Sequence, residues 1–243
     1  MKNLVPLCAG AAVLATSSMA WAFQQRTPQA PPSVSSTYSM RHPNSNTSNN
    51  NFRNQYESRV VMRVEDQPQK YLASAKEVAE CVVRKAKDKT GELIGGPMTK
   101  DPEFRKLSDA LTGRYKLCYQ NVGDGLPIIV LNGMIAQEAV RAAGTTLPRY
   151  STPVDAAEAQ KFYAGADGQM TIDSLARCLA VYSPGLVYRY LNTNFGSPEE
   201  RSSLEAVYAE TPACNVRTPP SNIPQLEQRS ALATGLYAWT HKG

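Results

Sequence analysis

Histidine is nearly missing from this chain: among 243 residues only His42 and His241 occur, one in a polar N-terminal stretch and one close to the C-terminal end. With no imidazole between them, a Ser-His-Asp triad, the usual zinc hydrolase sites and His-based phosphotransfer are not expected. A Cys protease lacks its His partner for the same reason. No Cys-x-x-Cys pair occurs, which excludes thioredoxin-type redox chemistry. No Gly-Lys-Ser/Thr follows Gly91-Glu92-Leu93-Ile94-Gly95-Gly96, so that glycine cluster reads as a loop rather than a phosphate cradle. Nor does any apolar run reach the roughly 18 to 20 residues a membrane-spanning helix needs.

Charge is as uninformative as histidine is scarce. The 26 Lys and Arg exceed the 21 Asp and Glu by five, but the surplus is uneven. Residues 23–56 carry Arg26, Arg41 and Arg53 and no acid, whereas residues 57–243 hold 22 basic against 21 acidic side chains. A near-neutral body argues against nucleic acid, which selects a basic face.

The N-terminus has Lys2, a mostly apolar stretch from Leu4 to Ala15, and Ala20-Trp21-Ala22 in a small-x-small cleavage pattern. Residues 1–22 are therefore expected to be a signal peptide that takes Cys8 with it, leaving a periplasmic or secreted chain with no transmembrane segment. Residues 23–56 are rich in Gln, Asn, Ser and Pro and include the run Asn44–Asn51. Too little apolar surface exists there to offset ordering entropy, so this is expected to be a disordered tail, most simply a spacer.

The body reads as mainly α. Val60–Val64 fits either a short strand or the lead into a helix. Ser74-Ala75-Lys76-Glu77 has capping-box spacing, with Val78, Val82 and Ala86 following on one face. Asp101-Pro102 places a cap before a proline at the first helical position, and Phe104, Leu107, Ala110 and Leu111 form a stripe. After the turn signal Gly123-Asp124-Gly125, Ile128–Leu131 has strand length, giving room for two short strands in all. It leads to a helix with Ile135, Ala136, Ala139, Val140 and Ala143 on one side. Thr152-Pro153-Val154-Asp155, Thr171, and Ser183-Pro184 signal further helix starts.

Comparing the chain with itself gives an offset of about 96 residues. Cys81 and Cys178 differ by 97 positions, Cys118 and Cys214 by 96. Asp101-Pro102-Glu103 falls on Ser197-Pro198-Glu199, and Ala136, Val140 and Ala143 fall on Leu232, Leu236 and Trp239. Two similar helical halves are expected, 57–150 and 151–243, each a helix with Cys, a loop, a Pro-started helix ending in Cys, a connector and a helix. Four cysteines allow three pairings, and only Cys81 with Cys118 and Cys178 with Cys214 lets each half close its own link. No catalytic residue, cofactor or metal ligand is assigned.

Two chemistries were weighed against the sequence. Ala166-Asp167-Gly168-Gln169 resembles half a calcium loop, but in that register Tyr163, Gly165 and Ser174 supply no carboxylate. Glycoside cleavage needs only two acids, for which Glu80, Glu138 and Glu227 are candidates, yet Glu80 aligns near Arg177 and no duplicated acid site is visible. Tyr182, Tyr188, Tyr190 and Tyr208 fall on helices, where half-buried packing is the expectation.

The Glu80-Cys81-Val82-Val83-Arg84 helix, the second Cys some 37 residues on, and Met134-Ile135-Ala136-Gln137-Glu138-Ala139-Val140 resemble an uncharacterised family of exported sphingomonad-type bacterial proteins. The likeness covers both halves of the body. It implies export and a duplicated helical unit, and it brings no activity with it. The expected role is a non-catalytic binding or structural module of the cell envelope, with an envelope or extracellular partner and a site between the halves; the alternative is a His-independent carboxylate hydrolase of envelope glycans.

Overall fold

The computed structural model describes residues 68–94, 101–120, 126–144, 146–151, 154–164 and 170–242, with the backbone alone at 68–70 and 101–104, all within the unit Pro31–Gly243. The signal segment 1–22, the tail 23–56, Val60–Val64, Gly123–Gly125, Thr152-Pro153 and the Ala166–Gln169 turn lie outside the described residues.

Local capping chemistry opens several helices. Thr171 Oγ1 accepts from the Ser174 amide while the Ser174 hydroxyl accepts from the Thr171 amide, a reciprocal box that starts α6. Pro184 stands at the first turn of α7 and Pro198 at that of α8, where a missing N–H costs nothing. Ser197 caps α8 by accepting from the Glu200 amide at 3.0 Å. The start of α5 is set by Asp155, whose carboxylate accepts from the amides of Ala157 and Glu158 at 2.8 and 2.9 Å, rather than by Thr152.

In chain order the elements are α1 (Pro68–Ala86), a 3₁₀ turn (Lys87–Glu92), α2 (Asp101–Thr112), α3 (Lys116–Tyr119), α4 (Ile128–Ala142), α5 (Ala156–Tyr163), α6 (Ile172–Tyr182), α7 (Pro184–Leu191), α8 (Pro198–Ala209), a second 3₁₀ turn (Pro212–Cys214) and α9 (Gln225–Thr240). Among the described residues there is no strand. Three sequence expectations are corrected here. Ile128–Leu131 is the first turn of α4, not a strand: four apolar residues in a row carry no period, and they are apolar because α4 is wedged between α1 and α9. Ser74–Glu77 lies in the interior of α1 and opens nothing. Gly91 and Glu92 close a 3₁₀ turn instead of lying in open loop.

The disulfides join Cys81 of α1 to Cys118 of α3 and Cys178 of α6 to Cys214 of the second 3₁₀ turn. Each second cysteine sits on a short element after the Pro-started helix, which ends at Thr112 or Ala209. The bridge therefore clamps a turn against a long helix.

Helix α9 organises the interior. It packs chiefly on α4 and on α6, so its residues are buried on more than one side and it shows no single apolar stripe. Two buried clusters result. One gathers Val78, Val82, Leu107, Leu111, Leu131 and Ile135; the other gathers Ile172, Leu175, Leu179, Val187, Leu204 and Leu232. Leu226 of α9 joins the first, and Ala136 and Val140 of α4 join the second, which interlocks them.

Both α9 contacts depend on glycine. A Cβ at Gly133 of α4 would lie 2.6 Å from Ser230 Cα, and one at Gly235 would lie 3.1 Å from the Ala176 backbone of α6. Gly133→Ala gains about 1 kcal/mol of helix propensity but forces two backbones apart. We expect a net loss of about 1 to 3 kcal/mol, seen as a lower urea midpoint with an unchanged slope.

Candidate functional site

The sequence offered three carboxylates for catalysis, and their settings differ. Glu138 of α4 receives two hydrogen bonds from Arg141, both at 2.8 Å, and the same guanidinium lies 3.5 Å from Glu80 of α1. Glu80 also faces Lys76 at 3.9 Å. The structure thus brings Glu80 and Glu138 to one cation, and Arg141 in turn is held more firmly protonated, first by its hydrogen bond to Glu138. Both carboxylates are thus engaged as ion-pair partners of Arg141. Glu227 is separate from both, buried at the first turn of α9.

Tyr190 and Tyr208 are fully buried, not half-buried, while Tyr182 and Tyr188 are half-buried. Burial pushes both buried phenols well above their ordinary pKa. Tyr208 therefore serves as a donor, to Gln228 Oε1 at 3.0 Å, and the Gln228 amide holds the Pro220 and Ile223 carbonyls at 3.0 and 2.8 Å. Nearby, Arg229 pairs with Glu200 at 2.6 Å and donates to the Leu191 and Thr193 carbonyls. These groups fasten loops and have no open face.

The open face lies elsewhere. A cavity of about 280 Å³ opens between α6, the C-terminal end of α9 and the first 3₁₀ turn. Its wall includes Asp173 and Arg177 one helical turn apart on α6, Thr234 and Tyr237 on α9, and His241 just past it. Ile94 and Gly91 come from residues 57–150 and the rest from 151–243, so the cavity draws on both segments. A Cβ at Gly91 would stand 2.9 Å from the Tyr237 hydroxyl, so this turn approaches the phenol closely because it carries no side chain.

Charge and stacking around the cavity are specific. The Tyr237 and His241 rings stack, with centres 4.1 Å apart and planes 21° apart. His241 Nδ1 lies 3.1 Å from the Tyr237 carbonyl and 3.0 Å from Thr240 Oγ1, which anchors the ring to the end of α9. Burial raises the Tyr237 pKa, keeping its hydroxyl a donor. The Arg177 guanidinium lies 5.8 Å from the Phe162 ring centre, and no carboxylate among the described residues pairs with it. Phe162 meets Trp239 edge-on at 5.3 Å, and Lys242 covers Trp239 at 5.1 Å while pairing with Glu158 of α5. This ladder ties α5 to the end of α9 beside the cavity.

Sequence reasoning passed over these residues. His241, close to the C-terminal end of the sequence, belongs to the folded body and lines the cavity. Asp173 and Arg177 carried a readable signal, a four-residue spacing that puts both on one helix face. Their meeting with Tyr237, some 60 positions away, left none.

No family model, curated protein or solved structure matches the chain. Among the described residues no helix is long and apolar enough to cross a membrane, and no cluster of three His, Cys, Asp or Glu side chains is placed to hold a metal ion.

Proposed function

We propose that the chain is an exported, non-catalytic binding module of the cell envelope or the medium, related to the exported sphingomonad-type family, with the α6–α9 cavity as its ligand site. The observation that carries this reading is the cavity itself: a concave space of about 280 Å³ walled by a cation, stacked rings and a hydroxyl donor. Polar groups that converge on a concave space are a common feature of small-molecule sites. Two disulfides suit an oxidising compartment. A catalytic use of Glu80 and Glu138 is disfavoured by the Arg141 they share.

The duplication belongs to the same reading. It is supported by the order of parts: a Cys-bearing helix, a twelve-residue helix (α2 or α8), a clamped short element, and a long closing helix (α4 or α9). Loops of 37 and 36 residues are closed by the two bridges. The closing helices then face one another at Gly133 and Ser230.

Two measurements test the proposal. N-terminal sequencing of the protein recovered from its own cells should begin at Phe23, and a chain retaining Met1 would contradict export. A thermal-shift screen of the full mature chain against neutral, cationic and anionic small molecules should find ligands. At a hundredfold excess over Kd the rise is about 5 to 10 °C, and Ala238→Phe, which fills the cavity, should abolish it. No shift in any class would refute the binding reading.

A further inference from the structure

Resting on that binding reading, we infer that the cavity takes a small molecule carrying an oxyanion on a planar, apolar body, with Arg177 as the anion-recognising residue. The cavity volume of about 280 Å³ corresponds to the share of about nine liquid waters. That admits a single substituted ring.

Arg177 supplies the polar anchor. Its guanidinium lies 5.8 Å from the ring centre of Phe162, which is itself braced edge-on by Trp239, and no carboxylate among the described residues pairs with it. The planar guanidinium fork suits bidentate recognition of carboxylate or phosphate oxygens. Tyr237 adds a phenol kept protonated by burial, a second donor for the same anion. Thr234 spends its proton on the Ser230 and Ala231 carbonyls of its own helix and is no rival donor. The neighbouring wall carries Ile94 and the stacked Tyr237 and His241 rings. Offset stacking on such a pair favours a planar ligand body.

The test is calorimetric titration of the full mature chain with three probes of one shape: benzoate, phenyl phosphate and neutral benzamide. Benzoate or phenyl phosphate should bind, and whichever of the two is tighter identifies the oxyanion. Benzamide should bind about tenfold to a hundredfold more weakly, and Arg177→Met should cost the preferred anion a similar factor. Arg177→Lys keeps the charge and loses the fork; it should fall between, and it serves as the readout should the Met variant unfold. Tight benzamide binding, or anion binding indifferent to both Arg177 variants, would overturn the inference while leaving the binding reading intact. Failure of all three probes with a positive thermal-shift hit of another class would do the same, whereas a negative screen refutes the binding reading itself.

Discussion

Arg229→Met is expected to lower stability by about 3 to 5 kcal/mol, a fall in Tm of roughly 6 to 20 °C for a domain of this size. Its guanidinium is 7% exposed and its partner Glu200 is 0% exposed, so the pair is sealed from water. One guanidinium nitrogen binds Glu200 Oε1 at 2.6 Å, and another serves the Leu191 carbonyl and, at 3.1 Å, that of Thr193. Glu200 meanwhile accepts from the Gly196 amide at 2.7 Å. The end of α7, the start of α8 and the first turns of α9 are thus joined through one charge pair. Removing the cation leaves a buried carboxylate and two carbonyls without their donor. Glu200→Leu combined with Arg229→Met should be more stable than Arg229→Met alone, because the stranded charge is gone, yet less stable than the parent, because Leu191 and Thr193 still lack a donor. Circular-dichroism melts of the three proteins decide it, and a single variant within 1 kcal/mol of the parent would show the pair to be dispensable.

Replacing Cys178 and Cys214 by Ala is expected to cost about 4 kcal/mol, the chain-entropy value for a loop of 36 residues. By that model the Cys81–Cys118 pair, closing 37 residues, is worth the same. What separates the two bridges is access. Cys178 and Cys214 are each 1% exposed, whereas Cys81 and Cys118 are half-buried at the surface of the α1 cluster. Thiol–disulfide exchange requires the attacking thiolate to reach sulfur. Under limiting reductant with alkylation and peptide mass analysis, Cys81 and Cys118 should be labelled first, and Cys178 and Cys214 only as the fold opens. Simultaneous labelling would mean that the second bridge is exposed by local opening well short of unfolding. Serine in place of alanine at 178 and 214 should cost more, since it buries two hydroxyls in an apolar cluster.

The legible parts of the fold are those governed by neighbours in sequence. The face Val78, Val82 and Ala86 is buried on α1, and Ile172, Leu175, Ala176 and Leu179 are buried on α6, because a spacing of three or four residues puts them on one side of a helix. Thr171 and Ser197 cap because their hydroxyls need reach only three residues ahead. Ile128–Leu131 resembles a strand for a matching reason: a helix buried on several sides loses its period, and four apolar residues in a row then carry no helical signal. Gly133 and Gly235 interrupt otherwise apolar helical patterns, a sign of close approach that the sequence displays without naming the partner.

The candidate site was legible only in fragments. Arg177 and Asp173 share a helix face by spacing alone, but their partners Tyr237 and His241 arrive with α9, and Ile94 arrives from the first segment. Likewise Glu200 and Arg229, 29 residues apart, show no local pattern that distinguishes them from surface charges.

By itself, then, the sequence determined the helical class, the scarcity of imidazole chemistry, the starts of α2, α6, α7 and α8 and the cysteine spacing, since each depends on interactions spanning a few residues or on composition. The tertiary structure alone decided which glycines meet which backbones, which ion pair is sealed, and that the terminal histidine lines a cavity with an arginine from the middle of the chain. The reason is that burial, and with it the strength of a charge or the presence of a pocket, is a property of how α9 packs between α4 and α6, and packing couples residues whose separation along the chain leaves no periodic trace.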